Sequence, residues 1–197
     1  MDRYEEYKKL LKTMMSEYRY RHSLGVADEA RKLAERYGAD VEKATVAGLL
    51  HDIMKDQPPK VQLQTIEDSG IILTPVERAS QKLWHAIAGA GYVRMKLGIR
   101  DPEIFDAILY HTTGRDGMSR LEKVLYVADY TSCDRQYEGV EHMRELAKVS
   151  LEDAMREGLR FTIQELSGLE RTIHPNTIFA YNELVCDKLR QQRDSAV

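Results

Sequence analysis

Apolar residues recur every three or four positions along almost the whole chain, the spacing of one face of an α-helix. Tyr4, Tyr7, Leu10, Leu11, Met14 and Tyr18 make a first stripe, and Leu24, Ala27, Ala30, Leu33, Ala34 and Tyr37 a second, which Gly38 ends. Asp40 is a good N-cap for a third helix bearing Val41, Ala44, Ala47, Leu50 and Ile53, with His51 and Asp52 in its last turns. Pro58-Pro59 breaks the chain before a short helix over 60–68. Thr74-Pro75-Val76-Glu77 reads as a capping box with proline at the first helical position, opening a helix that runs through Trp84-His85. Asp101-Pro102-Glu103 opens another, ending near His111, and Ser119-Arg120-Leu121-Glu122 opens the helix of Val124, Leu125, Val127 and Asp129. Two more are predicted over 140–166 and 175–190. No stretch alternates as a strand would, and none repeats. The expected architecture is all-α, a bundle of about eight helices in a single domain, 1–197.

At 197 residues the chain can bury a core without staples. Cys133 and Cys186 lie far apart with no CxxC spacing, which suggests neither a disulfide framework nor a zinc knuckle and fits a reducing cytosol. The start, MDRYEEYKKL, is charged and lacks the apolar region of a signal peptide, and no apolar run approaches a membrane span of about 20 residues. A cytoplasmic location is expected. The formal net charge of −3, with acids and bases interspersed, argues against wholesale nucleic-acid binding. Small anionic substrates need only a local cluster of cations and stay open.

The chemistry concentrates in histidine and aspartate. His51-Asp52 closes an apolar run, and His22, His85, His111 and Asp129 stand at wide intervals on either side. A lone helical histidine is more often structural or exposed than a ligand. The set reads differently. Successive gaps of 29, 34, 26 and 18 residues each suit a helix plus a return connection, so all six donors can converge at one end of a bundle. Imidazole and carboxylate bind borderline divalent metals, and an aspartate can ligate one ion through each oxygen.

On these residues the chain resembles the HD-domain metal-dependent phosphohydrolases. It is most similar there to the small bacterial symmetrical bis(5'-nucleosyl)-tetraphosphatases, which split diadenosine tetraphosphate into two ADP. The resemblance spans nearly the whole chain. It is carried by Arg19-Tyr20-Arg21-His22-Ser23, His51-Asp52-Ile53-Met54-Lys55-Asp56, Trp84-His85-Ala86, His111-Thr112-Thr113-Gly114, Val127-Ala128-Asp129-Tyr130 with Arg135 and Gly139, and Ile173-His174-Pro175-Asn176-Thr177 with Tyr181-Asn182. It implies one metal held by His22, His51, Asp52 and Asp129, and a second held by Asp52, His85 and His111, with Asp52 bridging. It implies iron; the donor types are equally compatible with Mn, Co, Zn or Mg. Cys133 stands where many relatives would carry a proline.

Two metals about 3.5–4 Å apart would activate a water and neutralise the attacked phosphate, with Asp52 or Asp129 accepting a proton. The remaining phosphates need cations, preferably arginine. Lys55, which also counts among the catalytic candidates, Arg115 and Arg135 are the first choices, then Arg19 and Arg21; each is otherwise a solvated surface charge. Thr112 and Thr113 either donate hydroxyls to phosphate or satisfy backbone at a helix end, and His111 lies beside them. His174, forced extended by Pro175, either lines a nucleoside pocket with Tyr181 or caps local structure. His142 and Lys123 read as exposed; Tyr4, Tyr7, Tyr18 and Tyr37 read as core. The expected partner is a nucleotide substrate giving ADP, with no nucleic acid or membrane, and an apolar helix face leaves room for a homodimer. The alternatives are an HD-type nucleotide phosphatase of other specificity and a non-catalytic nucleotide-sensing module. Guanosine tetraphosphate hydrolysis is disfavoured, because those enzymes carry an acidic pair where Met54-Lys55-Asp56 puts a cation.

Overall fold

Short polar side chains at the helix starts decide where this chain turns. The computed structural model describes residues 3–195; Met1, Asp2, Ala196 and Val197 of the expected 1–197 domain lie outside the described residues. The helices are α1 (Arg3–Met14), α2 (Glu17–Tyr37), α3 (Val41–Leu50), α4 (Pro59–Asp68), α5 (Pro75–Ala79), α6 (Gln81–Lys96), α7 (Pro102–Tyr110), α8 (Arg120–Thr131), α9 (Val140–Val149), α10 (Leu151–Gly168) and α11 (Pro175–Asp194). Among the described residues there is no strand, so the all-α class stands. Both capping boxes form, Thr74 with Glu77 and Ser119 with Glu122, and Gly38 closes α2 in the left-handed conformation at φ 70°.

Among the described residues the count is eleven rather than about eight; Ser80 and Ser150 each divide a segment whose apolar period carries on across it, and Ser16 moves the boundary between the first two helices. Ser16 caps α2 by accepting from the Arg19 N–H, and its own N–H and hydroxyl donate to Asp56 Oδ2 at 2.8 and 2.7 Å. The stripe expected to run through Tyr18 therefore stops at Met14, and Tyr18 turns outward at 64% exposure instead of joining the core. Tyr7 is buried, and Tyr4 and Tyr37 are partly buried against the core. Ser80 separates α5 from α6, and Ser150 leaves the helix at φ −148° to cap α10 through the Asp153 N–H. The third helix is likewise shorter than its pattern: it ends at Leu50, so His51 is its C-cap and Asp52 lies in the turn beyond.

One hydrophobic core extends from Tyr7 to Leu184. Its centre is α8, where Leu121 and the unbroken run Val124, Leu125, Tyr126, Val127 and Ala128 are buried; five successive apolar residues cover every side of the helix at that level, so none faces water. Around it pack α2, α3, α7, α9 and α10. α3 approaches α2 closely at Gly48, where a Cβ would lie 2.6 Å from Ala27 Cα. That contact holds two future site elements together.

Candidate metal centre and active site

The six sequence-predicted donors meet at one place. His22 comes from the middle of α2, His51 and Asp52 from the end of α3, His85 from α6, His111 from the C-cap of α7 and Asp129 from the last turns of α8. All four histidines and Asp52 are buried, while Asp129 keeps some exposure. The Asp52 carboxylate divides its oxygens. Oδ2 faces His51 Nε2 at 3.5 Å and His22 Nε2 at 3.9 Å, whereas Oδ1 faces His85 Nε2 at 3.2 Å and His111 Nε2 at 3.6 Å. Asp129 Oδ1 lies 3.0 Å from His22 Nε2 and 3.9 Å from His51 Nε2.

The rings are oriented from behind. His51 Nδ1–H donates to Gly48 O and His111 Nδ1–H to Ile108 O, both at 2.7 Å, which uses carbonyls left over at the helix ends. His22 Nδ1–H donates to Asp134 Oδ2 at 2.8 Å, and Ser132 Oγ in turn donates to Asp134 Oδ1. Each bond fixes the tautomer that leaves an Nε2 lone pair directed at the centre, the arrangement of metal-ligating histidines. His22 Nε2, His51 Nε2 and Asp52 Oδ1 find no hydrogen-bond partner although buried. Imidazole lone pairs and carboxylate oxygens gathered without water are costly unless a cation neutralises them. The donor set fits a divalent metal, and two triads, His22-His51-Asp129 and His51-Asp52-His111, have ligand atoms close enough to share an ion.

The electrostatics agree. Burial pushes the Asp52 carboxyl up, but His51 beside it, and His111 and His85 close to its other oxygen, hold it well below the usual carboxylate range. Burial likewise opposes the ionised form of Asp129, and His22, Arg135 and His51 overcome it. His85 is driven down to about 4 by burial, against the pull of Asp52. It stays neutral and available as a ligand at ordinary pH.

The cluster opens into a cavity of about 910 Å³ whose wall includes Lys55, His85, His111, Thr112, Thr113, Asp129, Arg135 and His174. Lys55 Nζ sits 3.1 Å from His85 Nε2, with its ammonium lowered chiefly by burial. Arg135 pairs with Asp129 through Nη2 and donates Nε–H to the Asp129 carbonyl at 2.7 Å. Thr113 spends its hydroxyl on Gly114 O and its carbonyl on Thr177, so of Thr112 and Thr113 it is Thr112 whose hydroxyl makes no hydrogen bond to the described residues. His174 caps α11 through Nδ1, which accepts from the Asn176 N–H, and its ring lines the cavity, whereas Tyr181 packs against the core and is not among the lining residues.

Two expected phosphate contacts lie elsewhere. Arg21 is exposed on α2 and pairs with Glu17, because a residue one position from His22 is about 100° around the helix from it. Arg115 does not line the cavity; it neutralises the buried Glu122 at 2.6 Å, pairs with Asp106 and lies over the Tyr110 ring. Lys123 pairs with Glu152 at the surface and His142 is exposed, as read. Sequence reasoning underrated Arg19, which donates to Asp52 Oδ2 at 2.6 Å; its position three before His22 puts it on the same face. It missed Asp134 altogether, along with the aromatic part of the cavity formed by Tyr130, Tyr137 and Phe161.

Comparison with known proteins gives concordant results. The HD domain profile matches residues 19–134. The symmetrical bis(5'-nucleosyl)-tetraphosphatase of Bacillus subtilis (strain 168) is 39% identical over 181 residues, 92% of this chain and 97% of that protein. The protein of the same name from Halalkalibacterium halodurans is 38% identical, over 91% of this chain and 95% of its own length. A crystal structure from Clostridium acetobutylicum, described as a predicted HD superfamily hydrolase involved in NAD metabolism, aligns with a TM-score of 0.91 at 36% identity, over 95% of this chain and 99% of that one.

Proposed function

Since this chain belongs to the HD-domain family and, within it, groups with the symmetrical bis(5'-nucleosyl)-tetraphosphatases, we propose that it hydrolyses diadenosine tetraphosphate to two ADP at a two-metal centre. The observation that carries the two-metal reading is the divided carboxylate of Asp52, one oxygen toward His22 and His51 and the other toward His85 and His111. His22, His51, Asp52 and Asp129 would hold one ion, and Asp52, His85 and His111 the other; iron is our first candidate, with Mn, Co, Zn and Mg as the alternatives. When bound, such ions acidify a water and neutralise the oxygens of the phosphorus under attack.

The protein's own groups supply the rest. Asp129 lines the cavity and Asp52 does not, which supports giving the Asp129 carboxylate the proton of the attacking water. Arg135 helps to hold that carboxylate ionised and also lines the cavity, where Nη1, not engaged by Asp129, can donate to a phosphate oxygen. Lys55 adds a point charge next to His85, and Lys82 and Arg171 add two more in the cavity wall. Thr112 offers a hydroxyl, and His174 closes the wall near Thr177. The two unpaired cysteines suit a reducing compartment, the cytosol.

Product analysis tests the assignment. Metal-replete protein given diadenosine tetraphosphate should release ADP as the sole nucleotide. ATP plus AMP would end the symmetrical reading, and free phosphate from nucleoside monophosphates would favour a phosphatase. Tight nucleotide binding without turnover under Fe, Mn, Co and Mg would favour a sensing module. Elemental analysis after anaerobic purification identifies the ion.

A further inference from the structure

The cavity wall has two chemically distinct parts: Lys55, His85, His111, Asp129 and Arg135 in or beside the donor cluster, and the apolar and aromatic Leu83, Tyr137, Phe161 and Leu166. A chain of ring contacts leads from the first to the second. Tyr130 follows Asp129 directly, lies 6.3 Å centroid to centroid from Tyr137, and Tyr137 lies 5.6 Å from Phe161 at an interplanar angle of 36°. The chain is stiff: Tyr137 Oη–H donates to the Tyr130 carbonyl at 3.0 Å, and the Tyr130 hydroxyl is hydrogen-bonded to Thr162 on α10. Phe161 is the most open ring of this half-buried ladder. One side packs against Tyr137, yet the residue is 39% exposed, with no polar atom to justify its place in the wall. An open aromatic ring held at a fixed distance from a phosphate-binding part of the wall offers a platform for a flat π-system.

One helical turn beyond Phe161, on the same face of α10, stands Glu165. It lines the cavity, and its carboxylate has no ion-pair or hydrogen-bond partner among the described residues. An anion there would repel phosphate. As an acceptor-only group it suits the exocyclic amine on the edge of a base stacked on the adjacent ring. We propose that Phe161, backed by Tyr137, is the stacking platform for one nucleobase of the substrate, and that Glu165 reads the base's amino edge, favouring adenine over uracil. This rests on the nucleotide-hydrolase reading above and names the part of the site that sets base preference.

The test separates base from phosphate. On metal-loaded protein, Phe161→Ala should weaken ADP binding roughly tenfold while leaving inorganic pyrophosphate binding within about twofold, since alanine at a stacked position removes the base term alone. In turnover, KM for diadenosine tetraphosphate should rise by a similar factor with kcat nearly unchanged, and Phe161→Trp should restore it. Glu165→Ala should bring the adenine-to-uracil ratio of kcat/KM, measured with the two dinucleoside tetraphosphates, toward one. Equal losses for ADP and pyrophosphate in Phe161→Ala, or no loss for either, would overturn the stacking platform. An unchanged base ratio in Glu165→Ala would overturn the edge reader. Selective loss of ADP binding in a protein that never hydrolyses the tetraphosphate would keep the base subsite and remove the hydrolase instead.

Discussion

Individual side chains here matter through the atoms they turn toward Asp52. Asp52→Ala removes the residue that faces both pairs of imidazoles, so the protein should lose both ions and all hydrolysis while keeping its helical circular dichroism; two ions per chain in that variant would refute the bridge. Asp134→Ala leaves every proposed ligand in place but releases His22 Nδ1, and metal affinity should fall about 10–100-fold in a chelator competition. The contrast between these residues also marks what could be read in advance. His22, His51, Asp52, His85, His111 and Asp129 stand out because donor side chains at the ends of apolar stripes demand a reason. Asp134 carries no such signal, for an aspartate in a polar loop looks the same whether it faces water or an imidazole. Arg19 and Arg115 were decided by rotation and by a buried partner, and only the first of these is visible in helical spacing.

Among the elements, boundaries announced by a capping box or a proline matched their patterns, and those resting on a solitary serine did not. Ser16 and Ser150 lack the Glu or Gln three residues on that would complete a box, and Ser16 is held by Asp56, 40 residues away. Such a break is a tertiary decision, and local periodicity runs through it. Close approach between elements is equally hidden, though its consequence is testable. Gly48→Ala would drive a Cβ into the backbone of Ala27, at 2.6 Å from Cα and 2.9 Å from N, where neither atom can rotate away. We expect about 1–3 kcal/mol of destabilisation in urea titration. Metal occupancy should fall too, because α2 carries His22, and Gly48 supplies the carbonyl that orients His51.

At the level of the whole molecule, gathering buried imidazoles makes stability depend on pH. In the metal-free protein His85 has its pKa depressed to about 4 by burial, from an ordinary 6.5. An unfolded chain therefore takes up a proton below pH 6.5 that the native protein refuses until about pH 4, so stability is lost as pH falls through that window. Between pH 7 and pH 5 this amounts to about 2 kcal/mol. Denaturation of the chelated protein at the two pH values should detect it, and His85→Asn should flatten the slope. That all six donors share one site was the part of the molecule most legible from gap lengths, since each gap is long enough for at least one helix and a return. Which wall of the cavity would be aromatic was not, because Tyr137 lies in the connection before α9 and Phe161 on α10, and tertiary packing alone brings the two rings together.

The donors belong to stretches that are strangers along the chain, from position 22 to position 129. Ions lodged among them would act as a clasp across five separate segments, absent from the unfolded polypeptide. At a hundredfold excess over its dissociation constant a single ion adds about 2.7 kcal/mol, worth roughly 5–10 °C for a chain of this size. Melting curves recorded during titration with a chelator would then report the affinity of the clasp with no nucleotide present at all.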